Sequence, residues 1–176
     1  MEMKQLIEDF PSNLTEAITI AEKSQISQVS GVDNVVICGM GGSGIGGTIV
    51  STWLADELTV PVEVVKDYTL PNYVGPNTLV IGSSYSGNTE ETLACIDSAS
   101  ERGAKIIGIS SGGKLEAFCR ANNCNIIIVP GGNPPRTALA FSLVQLLNIF
   151  HQTGIIASSK LENIQKSKQL ILSESD

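Results

Sequence analysis

Positive charge is scarce in this chain of 176 residues: 11 Lys and Arg stand against 18 Asp and Glu, a formal charge of −7. DNA and RNA binding needs a clustered basic footprint, so nucleic acid is excluded as a partner. No apolar run reaches the length of about 18 residues that a membrane span requires, which excludes a membrane partner. The opening MEMKQLIEDFPSN carries acids and a Pro where a secretory signal would be apolar, so a cytoplasmic protein is expected. Histidine occurs once, at His151, and the four cysteines, Cys38, Cys95, Cys119 and Cys124, form no C-x-x-C pair. Neither pattern supplies a metal site, and reduced, buried thiols are expected. Glycine, by contrast, is plentiful at 17 residues. Grouped at turns, it lets backbone N–H groups hold a small anion without net positive charge.

Five short apolar runs rich in Val and Ile lie at residues 33–38, 61–65, 78–81, 105–109 and 125–129, each bounded by Gly, Pro, Asn or Ser. Helical periodicity fills the gaps. Residues 45–58 place Ile45, Ile49, Trp53 and Leu54 on one side, residues 89–102 carry Leu93, Ile96 and Ala99, and a short helix covers 113–121. Such βαβ alternation demands a parallel sheet covered on both faces. The fold predicted is a three-layer αβα sandwich with a five-stranded parallel sheet, doubly wound in the flavodoxin-like manner. A further helix is predicted after Pro11, with Ser12 as N-cap. Residues 137–151 are apolar around nearly the whole helix, a pattern of a helix either central in a core or buried by a partner; with helices enough already for both sheet faces, burial in a homodimer or against another domain is expected. Residues 155–176 form a polar helix with no evident core to join.

Two loops carry the chemical signal. The first, CGMGGSGIGG at residues 38–47, joins a strand to a helix, and Gly39, Gly41 and Gly44 satisfy G-x-G-x-x-G. Taken alone it fits a dinucleotide site too, with Asp67 near the place where a ribose-binding acid would stand. The second, GSSYSGNTEET at residues 82–92, holds four hydroxyl residues, Ser83, Ser84, Ser86 and Thr89, before a helix that begins with Glu90 and Glu91. One hydroxyl is expected to cap that helix. Four exceed a cap, and in a parallel sheet this loop faces the same crevice as the glycine loop. Two cradles suit one phosphomonoester better than a dinucleotide.

The glycine loop with its central Ser, followed by S-x-S-G-x-T-x-E, resembles the sugar isomerase (SIS) domains. More narrowly, GMGGSGIGG, SSYSGNTEET and PGGNPPRTALAFS, in that order, resemble the N-terminal domain of bifunctional phosphoglucose/phosphomannose isomerases over residues 1–154. The resemblance implies that Gly41, Gly42 and Ser43 lie against a sugar phosphate and that Ser84, Ser86 and Thr89 are its hydroxyl ligands. It also implies that Arg136 is catalytic, at the C1–C2 end of the open-chain sugar. A guanidinium there stabilises the cis-enediolate of aldose–ketose isomerisation. Without the resemblance, Arg136 reads as a surface ion-pairing residue.

The implied reaction converts glucose 6-phosphate or mannose 6-phosphate to fructose 6-phosphate, with no metal and no cofactor. It needs a general base. His151 reads as the end of an apolar helix, and Glu90 and Glu91 as favourable charges at a helix N-terminus. In the resembled family the base lies in a second SIS-like half, toward which residues 155–176 would lead, so a fragment inactive by itself is expected. The alternatives are a stand-alone phosphosugar sensor, a short SIS isomerase, and, on G-x-G-x-x-G and Asp67, an NAD-binding Rossmann domain.

Overall fold

The computed structural model describes residues 3–27 and 29–174, apart from the side chains of Met3 and Arg136. Five parallel strands form one sheet in the order β2-β1-β3-β4-β5. They are β1 (Asn34–Cys38), β2 (Val62–Val65), β3 (Thr78–Ser83), β4 (Lys105–Ser110) and β5 (Asn125–Ile128). Alternate side chains feed two cores. Val35, Ile37, Leu79, Ile81, Ile107 and Ile109 point to one face, under α2 (Phe10–Lys23), α3 (Gly41–Trp53) and α6 (Leu139–Gln152). Val36, Cys38, Val80 and Ile106 point to the other, under α4 (Glu90–Glu101) and α5 (Gly113–Ala121). The three-layer doubly wound sandwich is therefore the fold. Among the described residues, no helix is long and apolar enough to cross a membrane.

Element boundaries moved where tertiary contacts outweighed local preference. Strand β3 runs two residues past the expected end, because Gly82 and Ser83 extend the ladder to β4 opposite Gly108 and Ile109. Helix α3 starts at Gly41, inside the glycine segment, with the Ser43 and Gly44 amides donating to the Met40 carbonyl. Glycine is a poor helix former, but here its missing side chain lets α3 press close to the core. A Cβ at Gly46 would stand 2.8 Å from Ser142 Oγ of α6, and one at Gly47 would stand 3.1 Å from Ile37. The glycine face being inward, Ile45, Ile49 and Trp53 turn outward, 50%, 39% and 44% exposed. Of the four residues expected on one side, only Leu54 is buried.

At the N-terminus two helices replace the single one expected, α1 (Met3–Glu8) and α2, with Pro11 in the first turn of α2. Ser12 does not cap; its hydroxyl donates to the Asp9 carbonyl. A 3-10 turn, Pro135–Thr137, delays α6 to Leu139, because the Thr137 amide and hydroxyl both bond the Pro134 carbonyl three residues back.

Helix α6 is covered from within the chain. It packs against α2, α3 and the C-terminal α7 (Leu161–Ser173), and Phe141, Val144, Leu146, Leu147, Ile149 and Phe150 are at most 1% exposed. Its all-round apolarity thus marks a central helix, not a face awaiting a partner. The polar helix α7 joins this core as well, through buried Ile164 and half-buried Leu161. Replacing Ile164 with Ala should therefore cost about 2–3 kcal/mol in urea unfolding, as a buried aliphatic truncation does. A change under about 0.5 kcal/mol, the scale of a surface substitution, would mean that α7 is not docked.

Candidate functional site

Strand order reverses between β1 and β3, and ligands of open α/β sheets sit outside the strand C-termini at such a point. In the parallel register Cys38 pairs with Gly82, so the loops after β1 and β3 leave the sheet side by side. They are in direct contact: a Cβ at Gly39 would lie 2.8 Å from the Ser83 carbonyl oxygen.

After β1 the chain turns through Gly41, whose φ of +51° is left-handed, and enters α3. The amides of Gly41 and Gly42 precede the first helical hydrogen bond, and no side chain caps this end. Gly42 and Ser43 line a cavity together with Ser83, Tyr85, Pro135 and Ser142, between α3, the end of β3 and the start of α6. Ser43, expected as a phosphate ligand, is half-buried there. On the β2 side, Lys66 lays its side-chain methylenes against Gly44 and brings a cation to this edge.

After β3, Ser84 is buried, Thr89 half-buried and Ser86 exposed. The Ser84 and Thr89 hydroxyls stand 2.8 Å apart in a mutual hydrogen bond, and the Thr89 amide donates to Ser84 Oγ at 3.4 Å. Ser86 Oγ accepts from the Asn88 amide at 3.2 Å. The expected cap is not made. Thr89 occupies the N-cap position of α4, but its hydroxyl is turned to Ser84 and no side chain accepts from the first-turn amides. Backbone bonds hold this loop to its neighbours: Ser84 N–H donates to Ile109 O, Ser111 N–H to Tyr85 O and Leu115 N–H to Gly87 O.

Four of the expected residues, Gly41, Gly42, Ser84 and Thr89, thus present amides or paired hydroxyls at the ends of two adjacent strands, with Ser43 and Ser86 beside them. The side chain of Arg136 lies outside the described residues; its backbone lies in the 3-10 turn next to the cavity-lining Pro135. His151 is exposed in the last turn of α6, twelve residues and about 18 Å of helix beyond Leu139. Glu90 and Glu91 occupy the first turn of α4. Glu91 foremost, with burial, Glu90 and Asp67 adding, raises the pKa of the Tyr68 hydroxyl. Beneath the glycine loop, the hydrogen bond that the Cys38 thiol donates to Cys95, and then burial, hold the Cys38 thiol far above its ordinary range, which keeps it protonated. Asp67, the dinucleotide reading's acid, accepts from the Tyr68 amide at 2.6 Å. The strand order also differs from the 3-2-1-4-5-6 of classical dinucleotide folds. Tyr85, Ser142 and Lys66 were not anticipated; the one sequence hint was a Tyr set between two loop serines.

The family model of the SIS domain matches residues 28–156. A bifunctional phosphoglucose/phosphomannose isomerase of Caldicellulosiruptor bescii is 42% identical over 155 residues, which cover 88% of this chain and 46% of that protein. A D-glucosamine-6-phosphate 4-epimerase of Sulfolobus acidocaldarius is 34% identical over 129 residues, covering 73% of this chain and 40% of that protein. The chain spans about half the length of the curated relatives it matches. Among solved structures, the C-terminal domain of glucosamine-fructose-6-phosphate aminotransferase from Francisella tularensis superposes with a TM-score of 0.70 at 16% identity, over 97% of this chain and 54% of that one. It shares the fold.

The two loops respond differently to an added methyl group. Gly87 has φ +69°, and a Cβ there would collide with the Gly112 carbonyl oxygen; Gly41 has φ +51° with nothing within 4 Å. Gly41→Ala should cost only the left-handed strain of about 1–2 kcal/mol. Gly87→Ala should cost clearly more, because the clash adds to that strain, and a urea titration of both variants checks the order.

Proposed function

Because the chain belongs to the SIS domain family, we propose that its crevice binds the phosphate of a hexose 6-phosphate, as part of a phosphoglucose/phosphomannose isomerase. The observation that carries this reading is the Ser84–Thr89 hydroxyl pair set against an uncapped α4. A phosphate oxygen there can take hydroxyl hydrogen bonds and first-turn amides together, and the helix dipole favours its charge. Ser86 and Ser43 add hydroxyls, and Gly41 and Gly42 add amides from the facing loop. The donor set is neutral, which reconciles an anion site with a chain of charge −7.

In this reading the sugar extends from the phosphate toward the turn that carries Arg136. Its guanidinium stabilises the enediolate oxygen that develops as the aldose becomes a ketose. The substrates are glucose 6-phosphate, mannose 6-phosphate and fructose 6-phosphate, in a cytoplasmic enzyme. The residues of this crevice hold the phosphate and the developing oxyanion; proton transfer is assigned to a group outside it, in the second SIS-like half that the resemblance implies. A homodimer belongs to the same reading, with the exposed Ile45, Ile49 and Trp53 stripe of α3 as its support.

Calorimetry with fructose 6-phosphate and with NAD tests the proposal. Binding of the sugar phosphate is expected, and binding of NAD alone would overturn it. Replacing Ser86 and Thr89 together by Ala removes two charge-assisted hydrogen bonds of ~1.5–3 kcal/mol each, so affinity should drop roughly a hundredfold or more with the fold retained. A twofold loss would reduce both residues to a structural role.

A further inference from the structure

Tyr85 stands between two of the phosphate-loop serines, yet its polar atoms face other loops. Its carbonyl oxygen accepts from the Ser111 amide at 2.9 Å and from the Ser111 hydroxyl at 2.7 Å, in the loop after β4. Its phenolic oxygen accepts from the Asn133 amide at 3.1 Å, in the loop after β5. One residue thus ties together three of the loops at the C-terminal edge of the sheet. Three residues beyond Asn133 comes Arg136, in a turn closed by the Thr137 amide and hydroxyl, both donating to the Pro134 carbonyl at 2.9 Å. The ring is half-buried against the core and lines the same cavity as Ser43 and Pro135.

A purely packing ring needs no hydroxyl at that place, and Phe has the same shape. The hydroxyl instead gives the Asn133 amide an acceptor in a segment, between β5 and the 3-10 turn, that belongs to no strand or helix. We infer that Tyr85 is a positioning residue: its hydroxyl sets the Arg136-bearing turn at a fixed reach from the phosphate cradle formed by its neighbours Ser84 and Ser86. This rests on the phosphosugar reading above. It adds that phosphate recognition and recognition of the reacting end of the sugar are coupled through one side chain, whose hydroxyl is engaged by the Asn133 amide.

The test is Tyr85→Phe in the full chain, titrated with inorganic phosphate and with fructose 6-phosphate, with amide hydrogen exchange read at Asn133. The variant keeps the ring, so Ser84 and Ser86 stay in place. Affinity for inorganic phosphate should stay within about twofold of the unaltered chain, while affinity for fructose 6-phosphate drops about tenfold, the scale of one lost hydrogen bond. Exchange at the Asn133 amide should accelerate. Equal weakening of both ligands would overturn the inference, since Tyr85 would then shape the cradle itself. Unchanged affinities, or an Asn133 amide indifferent to the substitution, would overturn it as well. If the unaltered chain binds neither ligand, the phosphosugar reading fails on its own, before the variant is consulted.

Discussion

Gly39 meets the Ser83 carbonyl at a distance that leaves no room for a side chain, and the rest of the edge depends on that contact. Strands β1 and β3 are neighbours in register, so their following loops must diverge from almost one point. A Cβ at Gly39 would push those loops apart. With none, the glycine turn and the hydroxyl loop rise together, and α3 and α4 start on opposite faces of the sheet with their N-termini near one crevice. Both helix dipoles then act on the same volume, as a doubly wound sheet does at its switch point.

The same economy of side chains governs α3. Its inward glycines forfeit helix propensity, but they let the helix approach Ser142 of α6 and Ile37 of β1. α6 is in turn enclosed by α2, α3 and α7, which is why a helix apolar on every side needs no second molecule to cover it. What is left uncovered is the outer face of α3, with Ile45, Ile49 and Trp53 within three turns of Ser43. An exposed apolar stripe and the candidate site thus share one helix.

Within the crevice, hydroxyls that sequence logic assigns to capping serve each other instead. Thr89 occupies the cap position but bonds to Ser84, five residues earlier, because the intervening Gly87 turn folds the loop back on itself. The first-turn amides of α4 are left without a side-chain acceptor, and that local deficit makes the helix end receptive to an anion.

Much of this was legible in the amino-acid order. Five Val- and Ile-rich runs alternating with helical segments determined a parallel sheet with helices on both faces, because only crossover connections join such strands. The glycine and serine loops stood at strand ends in the sequence itself, so their meeting at one edge followed from the topology. Only the tertiary structure decided which way each helix faces. Periodicity groups Ile45, Ile49, Trp53 and Leu54, but it cannot tell that the glycines between them win the core by allowing closer approach. Nor can it distinguish a helix buried by its own chain from one buried by another, since both are apolar all round; the arrival of α2 and α7 around α6 decides that. The Tyr85–Asn133 bond joins residues 48 positions apart. No local pattern encodes such a contact; it exists because the parallel sheet brings the loops after β3 and β5 to the same edge.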